Sequence, residues 1–526
     1  MNRDKKVHLV EDIRGRNNEK KVKIEQEAPT EYDGYKILEN DTAIDVLEVP
    51  KTLDEIESFF EDYVAARKPC KIRGISPEQF PLKELQPNVM KGTLPSEEIL
   101  TIEKKSDGGY GSGSKRIKMS FGQFMGRILD QHDTDLYLTT QYYEDDPNNS
   151  DYSTDEEEAS HVLDDVDNFD NSSLTFDDLH DDFDDLEENG ENEGHEIDSN
   201  EDGKKNDEDE EELESRLREL YQPPMTNLVR TLPECPGFLR YLIPQQINLW
   251  VGAVRNAADD TGWLKNFDVE HSGGKLGLGR NVPGGGSSSG LHHDHADNIY
   301  IPVNGHKRFT LFSPHDAAKM YTVGDIRKVH SSGVIDYHAN DRAPLWRELR
   351  DDGAIVAEVY KKILGGESEC SPEERLLYEE FIKKDSEQQA RKANKTLDPP
   401  SFSTVPTAVV QIDEIEDENT RENIRNASMK KWPLFFQANR LTVDVKPGEM
   451  LFLPTGWFHE VTSFGNQSDH DIVNVAANYW FIPPNGRSIN NVYSHTDNYW
   501  PDDYKITQSA LAKARSTNNL PELAHD

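Results

Sequence analysis

Residues 290–312 read GLHHDHADNIYIPVNGHKRFTLF, and this stretch decides the predicted fold. Apolar runs lie on both sides of an Asn-Gly pair at 304–305, which is the strongest short-range signal for a β-hairpin. Just before these two predicted strands, His292 and Asp294 lie two residues apart in extended chain, where alternate side chains point the same way. An imidazole and a carboxylate on one face provide two ligands for a metal ion.

A third ligand is available much later in the chain. His459 follows a strand, a proline turn and an aromatic pair, and with His292 and Asp294 it completes a two-histidine, one-carboxylate triad. Such a triad leaves coordination positions open on non-haem Fe(II). His295 and Asp297 repeat the spacing and offer a second register. The first register is preferred because a co-substrate pocket counts correctly from it, so we expect His295 and Asp297 to lie behind the ligands or at the surface.

An Fe(II) ion with open positions can bind a 2-oxo acid through two atoms, followed by O₂. The far carboxylate of that co-substrate needs a cation and hydroxyl donors. Lys307 lies on the strand after the Asn-Gly turn and supplies one positive charge. Ser289, three residues before His292, and Asn298, six residues after it, are candidates for hydrogen bonds to the co-substrate.

The negative charge is concentrated in one tract. The chain has 526 residues and a net charge of −42, and residues 144–214 hold 33 acidic residues against two lysines. That balance of −31 leaves only −11 for the rest, which provides no basic face for nucleic acid. Blocks of like charge with few apolar residues predict disorder. The tract is interpreted as a solubilising insertion, or else as a landing site for basic partners such as histone tails or ribosomal proteins.

Cysteine usage and the N-terminus indicate the compartment. Cys70, Cys235 and Cys370 are scattered, with neither a disulfide framework nor zinc spacing, which is typical of a reducing environment. No apolar run follows the charged N-terminus, and no segment is long and apolar enough to span a bilayer. We therefore expect an intracellular protein, cytoplasmic and/or nuclear, with no membrane partner and no direct nucleic-acid partner.

Strands broken by Gly and Pro turns predict an antiparallel barrel. The Gly-Ser run at 284–290 is expected to be a mobile loop. A helix at 504–514 is expected to pack on the barrel or on a second copy of the chain, which makes a homodimer a candidate assembly. The predicted organisation is a flexible tail (1–33), an N-terminal α/β flank (34–143), a disordered acidic insertion (144–214), a catalytic core (215–485) with a Gly-rich insertion (253–288) and a helical insertion (316–430), and a C-terminal helical segment (486–526).

Five motifs together carry a family resemblance. They are His292-His293-Asp294, Asn298-Ile299-Tyr300, Gly305-His306-Lys307-Arg308-Phe309, Gly448-Glu449-Met450-Leu451-Phe452-Leu453-Pro454 and Trp457-Phe458-His459. The set resembles the Jumonji-C (JmjC, cupin-like) Fe(II)/2-oxoglutarate-dependent oxygenases. The resemblance is closest to the protein hydroxylase branch, which includes factor inhibiting HIF and the lysyl hydroxylase of developmentally regulated GTP-binding proteins. It covers about 44–143 and 220–485.

The resemblance implies a mainly β fold with flanking helices, a double-stranded β-helix (jelly-roll or cupin) barrel. It implies three catalytic iron ligands and five residues for 2-oxoglutarate. The ligands are His292, Asp294 and His459, and the co-substrate residues are Lys307 on the distal carboxylate, Ser289 at a position where the family usually has Thr, and Asn298, Asn478 and Tyr137 along the pocket.

The reaction that the resemblance implies converts 2-oxoglutarate and O₂ to succinate and CO₂ and hydroxylates a C–H bond. The expected substrate is a protein side chain, in the manner of a lysyl hydroxylase, on a basic partner protein. Three alternatives remain: a JmjC demethylase of histone or other protein lysines, an RNA-base hydroxylase, which the acidic surface disfavours, and a non-catalytic scaffold that binds through the acidic tract.

Overall fold

The chain is described from a computed structural model. It places residues 30–105, 116–141, 212–254, 262–270, 281–366, 370–390, 399–466 and 472–516. The predictions of a flexible tail and of a disordered acidic insertion fall almost wholly outside these described residues, and the division into domains stays a prediction.

The described part of the chain contains fifteen strands. They are β1 Asp45–Glu48, β2 Cys70–Arg73, β3 Ile99–Lys104, β4 Arg116–Ser120, β5 Leu136–Leu138, β6 Pro244–Ala253, β7 Ser287–His293, β8 Asp297–Asn304, β9 His306–Phe312, β10 Ile326–Val329, β11 Ile335–Tyr337, β12 Arg440–Val445, β13 Glu449–Leu453, β14 Phe458–Phe464 and β15 Val473–Phe481. Helices flank them: α1 Leu53–Phe59, continued by a π-helical turn Phe60–Val64, α2 Pro87–Thr93, α3 Phe121–Leu129, α4 212–220, α5 Val356–Gly365, α6 Pro372–Gln389, α7 Thr407–Val410, α8 Glu418–Lys431 and α9 Tyr499–Ser516.

Two sheets build the barrel. Within the described residues, a nine-stranded sheet runs β1-β2-β13-β8-β15-β6-β5-β3-β4, and a four-stranded sheet runs β12-β9-β14-β7. Buried apolar side chains of both sheets fill the space between them, for example Tyr300 and Leu451 on one side and Phe309 and Val461 on the other. The ring centroids of Tyr300 and Phe309 lie 5.1 Å apart. This is the predicted jelly-roll barrel, and alternate residues of each strand point into it.

The predicted hairpin at Asn304-Gly305 is wrong. Strand β8 pairs with β13 and β15 in the larger sheet, whereas β9 pairs with β12 and β14 in the smaller one. The chain therefore changes sheet at Gly305, where φ is +71° and a Cβ atom would lie 2.2 Å from the carbonyl oxygen of Phe464. Glycine fits this corner because it has no Cβ. Tertiary pairing on both edges of each strand overrides the local turn signal.

The Gly-rich prediction is also partly wrong. Residues Gly284 to Gly286 do form a turn with positive φ, but the expected mobile loop ends there, since β7 begins at Ser287. The three serines at the start of β7 are buried, with Ser288 fully inaccessible. Small polar side chains fit here because the strand pairs with β14 on one edge and side chains of neighbouring segments accept or donate hydrogen bonds.

The 316–430 insertion packs on the outer face of the four-stranded sheet. It contains the expected helices α5 and α6 and also the two-stranded sheet of β10 and β11. Its apolar residues form one buried cluster with Leu291, Phe312 and Phe458 of the barrel strands. The insertion therefore covers the outer face of the barrel wall.

Helices and the C-terminal segment cover the outer face of the larger sheet. Helix α9 buries Trp500, Leu511 and other residues against the same chain, which is one of the two packing modes expected for it. The homodimer stays a prediction. Within the described residues, no helix combines the length and the low polarity that a bilayer crossing requires.

Candidate metal centre

The three predicted ligands meet at one end of the barrel. His292 on β7 and His459 on β14 are direct cross-strand partners, and their ring centroids lie 4.3 Å apart. Asp294 lies one residue beyond the end of β7. Its carboxylate oxygens are 3.7 Å from Nε2 of His292 and 3.6 Å from Nε2 of His459. Cross-strand register thus brings together side chains that are distant in sequence.

Both imidazoles are oriented for a metal. Nδ1 of His292 lies 3.0 Å from the carbonyl oxygen of Gly290, and Nδ1 of His459 lies 2.9 Å from that of Trp457. A carbonyl oxygen only accepts, so Nδ1 carries the proton in each ring. Each Nε2 then carries the lone pair that can bind a cation, and a backbone carbonyl behind a ligand histidine is the usual arrangement in metal sites. The donor set of two imidazoles and a carboxylate fits Fe(II).

The alternative register does not converge on this point. Asp297 is fully buried and forms a two-point ion pair with Arg67, while it also accepts the backbone N–H of Thr455. Nε2 of His295 lies 3.1 Å from the carbonyl oxygen of Ile335. Both residues lie behind the ligands, as one of the two expectations had it. The surface position is wrong, because the barrel corner covers both side chains.

One further His/Asp group occurs among the described residues, formed by Asp351, Asp352 and His495. Protein partners already account for these side chains. His495 Nε2 lies 2.6 Å from Asp351, and Asp352 pairs with the guanidinium of Arg350. This group is therefore interpreted as an ion-pair network.

Lys307 lies on the same inner face as His459. It is the cross-strand partner of Ser463, which is four residues beyond His459 on β14, and residues four apart on a strand share a face. Its Nζ donates to Ser463 Oγ at 2.6 Å, Asn474 Oδ1 at 3.1 Å and Tyr137 Oη at 3.2 Å. Burial of the ammonium, with a smaller effect of Lys105, lowers the pKa of Lys307 well below its usual value.

A model of the cupin-like domain family matches residues 56–487. The chain belongs to this cupin-like, JmjC family. It is 24% identical over 531 residues to JmjC domain-containing protein 4 of Schizosaccharomyces pombe, an alignment that covers 89% of this chain and 90% of that protein. It is also similar to JmjC domain-containing protein E of Dictyostelium discoideum, with 36% identity over 14% of this chain and 20% of that one. Lysine-specific demethylase JMJ32 of Arabidopsis thaliana is 24% identical over 37% of this chain and 38% of its own.

In the JmjC barrel, the predicted co-substrate residue Ser289 bonds to the backbone, and Ser287 faces Lys307. The hydroxyl of Ser289 donates to the carbonyl of Gly290 at 2.9 Å and accepts the N–H of Val461 at 3.1 Å, because β7 is irregular here. Ser287 is the cross-strand partner of Ser463 and so faces Lys307, and its buried hydroxyl has no hydrogen-bond partner among the described residues. Counting residues back from His292 in the sequence could not predict this irregularity of the pairing.

A chain of hydrogen bonds supports Asp294 from the larger sheet. Asn298 Nδ2 lies 3.4 Å from the Asp294 carboxylate, Asn478 donates to Asn298 at 3.2 Å, and the indole N–H of Trp250 donates to Asn478 at 2.8 Å. Both asparagines were predicted to line the pocket; Asn298 contacts a ligand directly, and Asn478 reaches it through Asn298. Trp250 lies on β6 and was not predicted as a site residue, because its contact with Asn478 depends on pairing between β6 and β15.

The insertion of the JmjC chain reaches the metal centre. The Phe402 ring stacks on His292 with a centroid distance of 4.9 Å and an angle of 13°. Behind His459, buried Glu460 accepts from Ser288, Thr462 and Gln411, and burial raises its pKa. Phe402 and Gln411 belong to the insertion, and no local sequence signal could have placed them here.

Proposed function

We propose that this JmjC chain is an Fe(II)- and 2-oxoglutarate-dependent dioxygenase that hydroxylates a protein side chain. The observation that carries the proposal is the convergence of two Nε2 atoms and one carboxylate on the inner barrel wall that also holds the Lys307 ammonium. When bound, Fe(II) and 2-oxoglutarate supply the chemistry: the co-substrate is oxidised to succinate and CO₂, and one oxygen atom of O₂ enters a C–H bond.

Spacing along the wall supports 2-oxoglutarate as the co-substrate. Lys307 pairs opposite Ser463, four residues from His459, which is about 13 Å of strand. The Lys307 ammonium lies beside Ser463, so most of that distance separates it from the ligand end, and a five-carbon dicarboxylate held by the metal at one end extends towards it. The Ser287 hydroxyl, which has no partner within the described part of the chain, lies at the lysine end, where a carboxylate needs a further donor.

The protein side chains orient and shield the reactants. Asn298 and Asn478 hold the Asp294 carboxylate toward the two histidines. Lys307 is almost inaccessible to water, so its charge acts on a carboxylate with little screening. Partial exposure of His292 and Asp294 leaves the metal position reachable from outside the barrel.

A basic protein is the proposed type of substrate, because the chain carries a net charge of −42. We place the reaction in the cytoplasm or nucleus. Lysine demethylation is the second candidate, since one relative is named a lysine-specific demethylase. The two reactions differ in whether the oxidised carbon is bound to nitrogen. Mass spectrometry of treated proteins separates them, because hydroxylation adds one oxygen and demethylation removes a methyl group.

The test compares His292→Ala and Asp294→Ala with His295→Ala. We expect the first two variants to fold but to lose iron-dependent turnover of 2-oxoglutarate, measured as succinate formed by the purified protein. The control His295→Ala should retain it, since this ring contacts the carbonyl of Ile335. Turnover that persists in folded His292→Ala would refute the ligand set.

A further inference from the structure

Two corners of the barrel border the metal ligands. Asp294 lies in the corner between β7 and β8, and His459 follows the turn between β13 and β14. The two corners contact each other through Asp294. The backbone carbonyl of Asp294 accepts the N–H of Gly456 at 2.9 Å and the hydroxyl of Thr455 at 3.3 Å. Any shift between the corners therefore moves Asp294 relative to His459.

One residue of the N-terminal flank contacts both corners. The guanidinium of Arg67 binds both carboxylate oxygens of Asp297 in the first corner. The backbone carbonyl of Arg67 accepts the indole N–H of Trp457 in the second corner at 3.0 Å. Asp297 also accepts the N–H of Thr455 at 2.9 Å, so the ion pair bridges the corners directly as well.

Burial and backbone geometry indicate that this contact is specific. Arg67 is 3% exposed and Asp297 is 0% exposed. Arg67 also adopts a φ of +55°, which is uncommon for a residue with a Cβ. A buried ion pair is often no more stabilising than apolar side chains of the same size, because both charges lose their hydration. The pair instead fixes the relative orientation of the two side chains, since a planar guanidinium and a carboxylate form two parallel hydrogen bonds.

We propose that Arg67 and Asp297 are positioning residues of the metal centre, which hold the two corners at the spacing that lets Asp294 and His459 bind one cation. The inference rests on the proposed function, because it assumes the ligand set given above. It gives a role to Asp297, the carboxylate of the second register, which acts through Thr455 and Arg67 and is not a metal ligand. It also makes the N-terminal flank a part of the metal site.

The experiment measures binding of Co(II) to the metal-free full-length protein. Co(II) is the probe because its visible absorption bands report both affinity and coordination geometry. We expect the double variant Arg67→Met/Asp297→Leu to raise the Kd 10- to 100-fold, roughly the effect of losing a residue that supports a metal ligand, and to shift the bands. The control Arg216→Met/Asp503→Leu removes an ion pair between α4 and α9 and should leave the Kd within about twofold of wild type.

Two conservative variants guard against a folding failure. Asp297→Asn keeps the size and one acceptor but removes the charge, and Arg67→Lys keeps the charge but loses the two-point geometry. Each should raise the Co(II) Kd at least threefold in protein whose circular dichroism spectrum at the assay temperature matches that of wild type. A Kd within twofold of wild type in both folded variants would overturn the inference. If His292→Ala instead binds Co(II) as wild type does, it is the proposed function that fails.

Discussion

Replacing Lys307 with methionine isolates the co-substrate charge. Methionine is unbranched and of similar length, so the barrel keeps its packing. The Lys307 ammonium is buried and donates to three oxygens, those of Ser463, Asn474 and Tyr137. In the variant, a carboxylate that binds there no longer has this cation as a partner. Removal of one member of a buried, hydrogen-bonded charge pair costs about 2–5 kcal/mol. Taking 3 kcal/mol, the Kd for 2-oxoglutarate should rise about a hundredfold.

Thermal unfolding with and without 2-oxoglutarate measures this effect, with Mn(II) as a redox-inert metal. At a concentration of about 100 times the wild-type Kd, the co-substrate should stabilise wild type by about 2.7 kcal/mol and the variant by only about 0.4 kcal/mol. Lys105→Met is the matched control, because Lys105 also lies over the Tyr137 ring but donates to the carbonyl of Ala253. Equal stabilisation of wild type and Lys307→Met would refute the assignment of the lysine.

Three further outcomes are expected. Burial lowers the pKa of Lys307, and the ammonium form binds the carboxylate. The affinity for 2-oxoglutarate should therefore be full below that pKa and fall as pH rises through it. In a calorimetric pH series, Lys307→Arg should remove this alkaline decline, because arginine stays charged. Gly305→Ala should lower the free energy of unfolding, measured in urea, by about 2 kcal/mol or more. The reason is that φ is positive at this position and a backbone oxygen occupies the place of the Cβ atom. A change of less than about 0.5 kcal/mol would contradict this. Replacing residues 144–211 with a short Gly-Ser linker should leave succinate formation unchanged. The backbone N–H of Gln141 donates to the side chain of Gln222, so a direct contact already holds the two flanks of the tract together. Loss of turnover would show that the tract has a structural role.

Local elements were predictable where one short-range signal was strong. Helix α3 spans Phe121–Leu129 as the apolar spacing predicts, and Ser120 with Gln123 forms a capping box at its start. Most barrel strands were also located from their apolar runs and Gly or Pro turns. Such signals act between residues close in sequence, so they do not depend on the rest of the fold.

Pairing partners were not predictable in the same way. The Asn-Gly signal at Gly305 correctly marks a reversal of the chain, but whether the two strands pair depends on which other strands occupy their edges. Those edges are filled by β12 to β15, more than a hundred residues later in the chain. The same reasoning applies to the Gly-Ser run, which forms part of β7 because β14 pairs with it.

By itself, the sequence determined the kinds of ligand and their approximate places: a His-x-Asp pair on extended chain, a later His459 and a lysine on the next strand. It did so because side-chain alternation and donor chemistry are properties of short segments. Only the tertiary structure decided that Ser287 faces Lys307, that Phe402 stacks on His292 and that Arg67 joins the two ligand corners. These contacts depend on cross-strand register and on packing between distant segments, and neither is encoded in the spacing of neighbouring residues.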